Sequence, residues 1–404
     1  MRTLLLFRGA PGCGKTTFIE NNFPIGYTLS PDEMRLMYSS PQRDISGQIY
    51  VSQAHNKKVW KTIREIAEER FKRGEFTIID ATNSQTHEMA TWKCLAEKYN
   101  YKVYLIDMTD VPIEKCKLRN ALRPPLEVVP EDVIDQMYMR FQTQPVPRGI
   151  TVLSPIEINK AYCHLHYADK YDAVNVIGDV HGCYTALMKL IDHVKKSDNE
   201  LFVFVGDLCD RGVENADVVK FFIETAGLDN FLYLEGNHEA HLRKWSKGKK
   251  VISKEFNLFT APQLVKARIK KKELRNALDK LDQCYWFEFD EKRYFVSHGG
   301  ISLSPDMENP VYIPTEELIK GTGNYEDVYM VENAYQINSV FTSFQIHGHR
   351  NPENRPIYSE HNSFNLEGKV EFGGELRAVR LEKGKAVRCV SIKNDVVRCT
   401  EENV

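Results

Sequence analysis

The sequence lacks several features that define whole classes of protein. No apolar run approaches the length that crosses a membrane, and Leu4–Phe7 passes directly into a glycine-rich loop, so we expect a strand there and no targeting segment. The nine cysteines are scattered without a CxxC spacing, which favours reduced thiols and a cytoplasmic protein. The net charge of -2 excludes a global basic excess of the kind that binds nucleic acid, although a local basic patch is compatible with it.

Apolar runs that alternate with helical spacing indicate the fold class. The 404 residues suffice for two or three domains, and no repeat or low-complexity tract interrupts them. Strands are predicted at Thr3–Arg8, Phe76–Asp80 and Lys102–Asp107 with helices between them, which is typical of an α/β domain with a parallel sheet. A second alternation begins at Ala173 and changes after Tyr285 to short strands and turns, which predicts a mixed α/β sandwich.

A proline-rich stretch predicts where the two domains meet. Residues 142–155 contain three prolines and show little periodicity, as connections between domains often do. We therefore expect a first domain over residues 1–150, a linker or crossing segment over 151–172 and a second domain over 173–404.

The loop after the first predicted strand has a phosphate-binding pattern. Residues 9–16 fit G-x-x-x-x-G-K-[ST] at every position. The glycines allow backbone N–H groups to turn toward phosphate oxygens, and the helix that follows adds positive potential. Lys15 would bridge the β- and γ-phosphates of ATP, and the Thr16 hydroxyl would hold Mg²⁺. The expected nucleotide-binding residues of this loop are Gly9, Gly12, Cys13, Gly14, Lys15, Thr16 and Thr17.

Two further features bear on the acceptor of the phosphoryl group. Asp32 and Arg35 follow the P-loop helix, where a carboxylate could take the proton of an acceptor hydroxyl and an arginine could bind an acceptor phosphate. A helix-capping Asp32 with a solvated Arg35 is the alternative. Arg119 and Arg123 lie four residues apart on a predicted helix, where they could close over the ATP phosphates or simply form a solvated face.

Together with D-x-T-N at Asp80–Asn83 and the segment Val129–Ile134, these features resemble the polynucleotide 5′-kinase domain of the kinase-phosphatase repair enzymes. The resemblance spans residues 1–150, and related P-loop kinases of small alcohols share parts of it. It implies that Asp32 is the general base and that Arg35 contacts the phosphate beside the acceptor nucleotide. It also implies that Arg119 and Arg123 belong to a lid.

Clusters of Asp, His and Asn follow three successive predicted strands in the second half. They are G-D-V-H-G at 178–182, G-D-L-C-D-R-G at 206–212 and G-N-H-E at 236–239. Two histidine motifs follow, S-H-G-G at 297–300 and H-G-H-R at 347–350. A buried aspartate without a partner costs several kcal/mol, and a pair of metal ions is the natural partner.

This pattern resembles the calcineurin-like metallophosphoesterase family over Val174–Leu381. The resemblance implies two divalent metals, Mn²⁺ foremost, with Ni²⁺, Fe or Zn²⁺ as alternatives that suit the same mixed oxygen and nitrogen ligands. The implied ligands are Asp179 and His181 for the first metal, Asp207 as a bridge, and Asn237, His298 and His349 for the second.

The same resemblance implies the residues that assist the chemistry. His238 would protonate the leaving oxygen, Asp210 would orient its ring, and Arg211 would bind a phosphate oxygen. The sequence departs from the family after the last metal histidine, where an Asp-Thr-Gly turn is common and Asn365–Gly368 stands instead. An asparagine cannot supply the carboxylate charge, which puts one peripheral contact in doubt.

A kinase and a phosphatase on one chain would cycle ATP futilely if they acted on one position. They are useful together if they act on different ends of a broken strand, and the domain order resembles polynucleotide kinase-phosphatases of the bacterial RNA-repair type. That resemblance implies 5′-phosphorylation and removal of a 3′-phosphate or 2′,3′-cyclic phosphate on RNA or DNA ends, with a separate ligase acting afterwards. It leaves the oligomeric state open and gives no role to a membrane.

A local basic segment supports a nucleic-acid substrate. Residues 243–275 hold twelve Lys and Arg against two acids, with Trp245 and Phe256 among them. Such a segment can bind a phosphate backbone and stack a base, or it can be a solvated helical insertion. Two other functions remain open: a small-metabolite kinase fused to a nucleotide or dinucleotide polyphosphate phosphohydrolase, and a non-catalytic ATP-binding signalling module.

Overall fold

The computed structural model describes residues 1–45 and 47–398, which form two compact units. The first unit comprises Met1–Cys163 and Pro310–Thr315. The second comprises His164–Asn309 and the chain from Glu316 onward. No helix among the described residues is both long and apolar enough to cross a membrane.

The first unit is built on a five-stranded parallel sheet with helices on both faces, in the strand order β2-β5-β1-β6-β7. Its strands are β1 Thr3–Arg8, β2 Thr28–Leu29, β3 Gln42–Arg43, β4 Ile49–Tyr50, β5 Thr77–Ile79, β6 Lys102–Asp107 and β7 Thr151–Leu153. Its helices are α1 Lys15–Asn22, α2 Pro31–Tyr38, α3 Asn56–Arg73, α4 Thr86–Lys98, α5 Ile113–Ala121 and α6 Glu131–Thr143. The short antiparallel pair β3-β4 lies apart from this sheet.

The alternation of side chains along β1 explains why helices cover both faces of this sheet. Leu5 and Phe7 point into one apolar core, and Leu4 and Leu6 point into the other. Successive strand residues face opposite sides, so a strand that is apolar throughout requires cover on both faces. Because β1 and β5 run parallel, their carboxyl ends meet at one edge of the sheet.

The predicted boundary between the domains differs from the observed one. Residues 151–172 were expected to be a linker, but β7 pairs with β6 in the first sheet, and a 3₁₀ helix over Pro155–Ala161 follows within the first unit. Tyr312, from the later segment of that unit, packs on Tyr27 with ring centroids 4.9 Å apart. A three-residue strand and a single 3₁₀ helix are too short to show periodicity in sequence.

The second unit is a sandwich of two sheets, as predicted. One has the order β11-β10-β9-β17-β18, and the other β15-β16-β14-β13-β12-β8. The strands are β8 His166–Tyr167, β9 Ala173–Ile177, β10 Glu200–Phe204, β11 Phe231–Tyr233, β12 Cys284–Phe289, β13 Lys292–Ser297, β14 Ser343–His347, β15 Tyr358–Ser359, β16 Ser363–Asn365, β17 Glu375–Glu382 and β18 Arg388–Lys393. The helices are α7 Tyr184–Val194, α8 Asn215–Thr225, α9 Glu239–Ser246, α10 Ala261–Lys266, α11 Lys271–Leu278, α12 Thr315–Lys320, which begins in the first unit, and α13 Val328–Ile337.

The strand directions in the sandwich bring the predicted motifs together. Val176, Val203 and Val296 belong to the apolar core shared by the two sheets. The strands β9, β10 and β11 run parallel, and so do β13 and β14. Each of these five strands is followed by one of the Asp, His or Asn motifs, so the motifs emerge at common sheet edges.

Candidate active sites

The P-loop has the geometry that phosphate binding requires. Gly12 and Gly14 have φ of 83° and 102°, in the left-handed region that favours glycine. A Cβ at Gly12 would lie 2.1 Å from the carbonyl oxygen of Cys116, so the loop can pack on α5 only without a side chain there. The buried Lys15 donates to the carbonyl oxygens of Gly9 at 2.9 Å and Ala10 at 3.0 Å. These acceptors are neutral, and a phosphate would supply the counter-charge for the ammonium group.

A hydroxyl and a carboxylate meet at the end of the loop. Thr16 Oγ1 donates to Asp80 Oδ2 at 2.8 Å. Burial raises the pKa of Asp80, while the Thr16 bond and the charge of Lys15 act against this. A Ser or Thr of the P-loop and an acidic residue of a neighbouring strand are the protein ligands that hold Mg²⁺ in P-loop enzymes, so these residues fit that ion. Thr17, the other threonine of the loop, is exposed.

Asp80 begins the D-x-T-N motif, which follows the strand beside β1 at the edge where open α/β sheets place their sites. The sequence indicated a site at this position but no individual role for Asp80. Asn83, in the same turn, has a structural role, because its side chain donates to the carbonyl oxygen of Phe7 at 2.7 Å.

The structure differs from the alternative in which Asp32 caps a helix and Arg35 is solvated. The N-cap of α2 is Ser30, whose hydroxyl accepts from the Glu33 amide, so Asp32 is not the capping residue. Arg35 is not solvated: its side chain is 14% exposed, pairs with Asp32 and donates to Asn56 Oδ1 at 2.8 Å. The Asp32 side chain is 87% exposed, and its charge helps to raise the pKa of Asp80 after the larger effect of burial. An accessible carboxylate therefore lies near the residues that fit Mg²⁺.

The two arginines of the predicted lid do not share one helical face. Helix α5 ends at Ala121, so Arg119 lies in the helix and Arg123 lies beyond it. Two prolines follow Arg123, and a residue before proline is disfavoured in a helix, which explains the early end. The Arg119 guanidinium nevertheless comes within 3.8 Å of the position that a Cβ on Gly14 would take. Arg123 donates to the Glu127 carbonyl at 3.2 Å, and its charge acts on Asp80.

The phosphoesterase motifs form loops with unusual backbone geometry. Five of their non-glycine residues have φ between 43° and 78°: His181, Asp207, Asp210, Arg211 and His349. Such conformations cost on the order of 1–3 kcal/mol each and persist where the surroundings impose them, commonly at functional sites.

Asp207 is shared by two groups of candidate metal ligands. Its Oδ2 lies 3.8 Å from His181 Nε2 on one side and 3.2 Å from His298 Nε2 on the other. His298 Nε2 is also 3.3 Å from Asn237 Oδ1, and the rings of His298 and His349 have centroids 5.0 Å apart. Asp207, His298 and His349 each offer a ligand atom within 4.8 Å of the others. The geometry suits a carboxylate that bridges two ions.

The electrostatics of the cluster also fit a pair of divalent cations. Burial raises the pKa of Asp179 well above its usual value, and the nearby Glu367 and Asp207 carboxylates raise it further. Burial lowers the pKa of His349 to about 3, so its ring is neutral, which is the form that binds a metal. His298 Nδ1 is buried without a hydrogen-bond partner among the described residues. Buried like charges and an unpartnered ring nitrogen are compensated when cations bind.

A buried glutamate, which was not predicted, holds the loops after β10 and β11 in place. Glu239 accepts from the backbone amides of Asp207 at 3.0 Å, Leu208 at 2.9 Å and Gly236 at 2.7 Å. One carboxylate thereby ties the loop after β10 to the loop after β11. It belongs to the G-N-H-E motif, but nothing in the sequence indicates which backbone groups it contacts.

The imidazole ring of His238 is held by a buried carboxylate. Its Nδ1 lies 2.7 Å from Asp210 Oδ2. Burial lowers the pKa of His238, but the charges of Asp207 and Asp210 outweigh it and the net shift is upward. Asp210 also accepts from His241 Nδ1 at 2.8 Å and from the Thr260 hydroxyl. Neither His241 nor Thr260 was predicted, and both belong to the region after β11.

Two glutamates near the C-terminus complete the site. The side chain of Asn365 contacts backbone groups, accepting from the Glu367 amide at 3.1 Å. The Glu367 carboxylate, buried, offers a ligand atom beside Asp179 and His181. The turn thus places a carboxylate in this group through Glu367 and not through residue 365. Arg211, predicted to bind phosphate, donates to Glu371 Oε1 at 2.9 Å with its side chain 40% exposed.

Family comparisons agree with this division of the chain. Residues 4–144 match the family described as AAA domain, and residues 173–381 match the calcineurin-like phosphoesterase family. The match to the calcineurin-like phosphoesterase family covers more than half of the 404 residues. The first unit is accordingly a P-loop, kinase-like domain fused to a metallophosphoesterase domain.

Individual relatives match the phosphoesterase part. An asymmetrical bis(5′-nucleosyl)-tetraphosphatase PrpE from Halalkalibacterium halodurans is 28% identical over 226 residues, which are 51% of this chain and 89% of the relative. A symmetrical bis(5′-nucleosyl)-tetraphosphatase from Haemophilus ducreyi is 29% identical over 166 residues, 40% of this chain and 57% of the relative. A serine/threonine phosphatase structure from Saccharomyces cerevisiae matches with a TM-score of 0.39 and 14% identity, covering 55% of this chain and 80% of that chain. By its motifs, its fold and the family match, the chain belongs to the calcineurin-like phosphoesterases.

Proposed function

We propose that the protein heals nucleic-acid ends in the cytoplasm. The first unit would transfer the γ-phosphate of ATP to a 5′-hydroxyl. The second would remove a 3′-phosphate or 2′,3′-cyclic phosphate, and a separate ligase would then seal the strand. The observation that carries the proposal is Asp32, an accessible carboxylate braced by Arg35 near the Thr16–Asp80 pair. A general base must come within hydrogen-bond reach of the hydroxyl whose proton it accepts, and an exposed carboxylate leaves room for a large acceptor.

The chain's own residues account for phosphoryl transfer. Lys15 would neutralise phosphate charge, and Arg119 and Arg123 would close over the phosphates from two separate backbone positions. Thr16 and Asp80 would hold Mg²⁺, which neutralises charge on the phosphates when bound. Asp32 would accept the hydroxyl proton, and Arg35 would hold the neighbouring phosphate of the strand while keeping Asp32 in place.

The phosphoesterase residues divide between metal binding and proton transfer. Asp179, His181, Asp207, Asn237, His298 and His349, with Glu367 beside them, would hold two divalent ions. Such a pair stabilises phosphate charge and lowers the pKa of the attacking water; we propose Mn²⁺, with Ni²⁺, Fe or Zn²⁺ as alternatives. His238 would donate a proton to the leaving oxygen, and Arg211 would contact a phosphate oxygen.

The basic segment, residues 243–275, supports a polyanionic substrate. Some exposed lysines elsewhere in the second unit pair with acids, as Lys195 does with Asp198 at 2.7 Å and Lys220 with Asp217 at 3.1 Å. Seven cations of the basic segment are exposed and form neither an ion pair nor a ring contact with a described residue: Lys244, Lys249, Lys250, Lys254, Lys266, Arg268 and Lys272. The same segment supplies Thr260 to Asp210, so it adjoins the phosphoesterase site. A phosphate backbone is the partner that such a surface suits.

A second candidate is favoured by the relatives. The bis(5′-nucleosyl)-tetraphosphatase from H. halodurans matches over 89% of its own length. The alternative function is therefore hydrolysis of dinucleoside polyphosphates, coupled to a kinase of a small metabolite. A substrate panel separates the two: a 5′-hydroxyl, 3′-phosphate oligoribonucleotide, its DNA counterpart, small alcohols and diadenosine tetraphosphate. End healing predicts label transfer from ATP to the 5′-hydroxyl and phosphate release from the 3′ end; turnover of only the small alcohols and the tetraphosphate contradicts it.

Asp32→Ala should lower transfer to a 5′-hydroxyl by about 10²- to 10⁴-fold, the usual contribution of a general base. Binding of ATP should persist, because Asp32 acts on the acceptor and Lys15 and Thr16 act on the donor. Single-turnover transfer and equilibrium binding of a fluorescent ATP analogue measure the two effects. Glu33→Ala, a change one residue along the same helix, is the matched control. Undiminished transfer in Asp32→Ala would remove this residue from the mechanism.

His238→Ala should lose activity in a manner that depends on the leaving group. A 3′-phosphate ester leaves as a poor alkoxide and needs a proton, so we expect a loss of about 10²- to 10⁴-fold. A nitrophenyl ester leaves as a stable phenolate and should lose less. Both metals should be retained, because His238 is assigned as an acid and not as a ligand. Equal losses on the two esters with metal retained would assign His238 to positioning of the phosphate.

A further inference from the structure

A half-exposed tyrosine lies beside the phosphoesterase site and takes no part in metal binding or proton transfer. Tyr325 lies in the loop between α12 and α13, and its ring centroid is 6.2 Å from that of His349, at 75° between the planes. The residue is 50% exposed, and its hydroxyl has no hydrogen bond to a described residue. The ring thus lies beside a candidate metal ligand, and half of the residue is open to solvent.

The loop that carries Tyr325 is held rigidly. Arg350, which is 1% exposed, donates to the carbonyl oxygens of Thr322 at 2.5 Å and of Asn324. The Thr322 amide donates to the Gly300 carbonyl at 2.9 Å, and the Asn324 amide to Asp327 Oδ2 at 2.7 Å. A buried guanidinium needs hydrogen-bond acceptors, and the two carbonyl groups of the loop supply them, which anchors the loop on Arg350.

Gly321, at the start of this loop, shows how tightly it packs. Its φ is 81°, and a Cβ there would lie 2.5 Å from Arg350 Nη2. Because Gly321 has no side chain, the guanidinium group of Arg350 can lie directly against the backbone of the loop. A rigid backbone that presents an open aromatic ring loses little entropy when a planar ligand stacks on it.

We infer that Tyr325 is a stacking platform for the nucleobase of the nucleotide whose phosphate is cleaved. The inference rests on the proposed function and adds a binding site for the base to a site so far defined only for phosphate. Aromatic side chains on a rigid frame are the usual means of binding a base without reading its sequence. The ring adjoins His349, so a base joined through one ribose to the reacting phosphate lies within its reach.

The test compares two 3′-phosphate oligoribonucleotides that differ only in the terminal residue, one with its base and one abasic. Stacking predicts that the full-length metal-loaded wild type prefers the base-bearing end by about 10- to 100-fold in kcat/KM. Tyr325→Ala should erase that preference, and Tyr325→Phe, which keeps the ring, should retain it. Tyr358→Ala is the matched control, because Tyr358 is 47% exposed in the same unit and its ring contacts Phe364.

Three results would overturn the inference. One is a wild type that acts on both ends equally. A second is a Tyr325→Ala variant that keeps the preference. The third is a Tyr325→Phe variant that loses as much as Tyr325→Ala, which would assign the effect to the hydroxyl. Failure of the proposed function looks different, because the wild type would then release no phosphate from either 3′ end.

Discussion

Asp207→Ala should leave the phosphoesterase site unable to hold two metal ions. Phosphatase turnover should fall by at least about 10³-fold, which corresponds to about 4 kcal/mol in the activation free energy. Asp207 Oδ2 lies within 3.8 Å of His181 Nε2 and 3.2 Å of His298 Nε2, so its removal takes a ligand from both groups at once. The loss should be equal on a 3′-phosphate and on a nitrophenyl ester. This pattern separates a metal ligand from the general acid His238.

Metal content and thermal unfolding check this result. Mn²⁺ should raise the midpoint of wild-type unfolding, because a ligand that binds only the folded state stabilises it, and the variant should not respond. Asp217→Ala is the matched control, a carboxylate on α8 of the same unit that is half exposed and pairs with Lys220 at 3.1 Å. A folded Asp207→Ala protein that retains two metals per chain would remove Asp207 from the bridging position.

Lys15→Ala should abolish phosphoryl transfer from ATP, with a loss of at least about 10²- to 10³-fold, as when one preorganised charge is removed from a transition state. The Lys15 ammonium is buried, and its hydrogen bonds to described residues all go to the loop, to the Gly9 and Ala10 carbonyls and the Cys13 thiol. No other lysine of the loop can replace it. Phosphatase turnover should stay at the wild-type value, because Lys15 belongs to the first unit and the metal ligands to the second.

Both activities should be measured on the same preparation of the Lys15→Ala protein. Lys61→Ala is the matched control, since Lys61 is an exposed lysine of α3 in the same unit, 3.8 Å from Glu65. If a folded Lys15→Ala protein loses phosphatase activity as well, the two sites are not independent, and the assignment of separate roles to the two units is wrong.

The parts of both sites that were predictable are those in which chemistry restricts the residue type over a short stretch. A phosphate-binding loop needs glycines and a lysine at set spacings, so residues 9–16 predicted the P-loop. A metal-binding strand end needs Asp, His or Asn directly after an apolar run. Asp179, Asp207 and His298 follow such runs, and the structure brings them to one place. The fold class was predicted for the same reason, because strand and helix periodicities are local.

The residues that were missed act through contacts distant in sequence. Asp80 lies 64 residues from Thr16, its hydrogen-bond partner. Thr260 lies 50 residues from Asp210. Glu239 acts on backbone amides, which leave no trace in residue type. Arg119 and Arg123 were placed on one helix because their spacing allowed it, and the prolines after Arg123 ended the helix first.

By itself, the sequence determined the chemistry at the centre of each site: phosphate binding by the P-loop and metal binding by the strand-end motifs. The tertiary structure alone decided which groups complete them. In the turn where Asn365 left a carboxylate contact in doubt, Glu367 places a carboxylate beside Asp179 and His181. Pro310–Thr315 returns from the second half of the chain to the first unit. The physical reason is that a site restricts where a charge lies in space. Many positions along the chain can deliver a carboxylate to that point, and only the packing of the elements selects one of them.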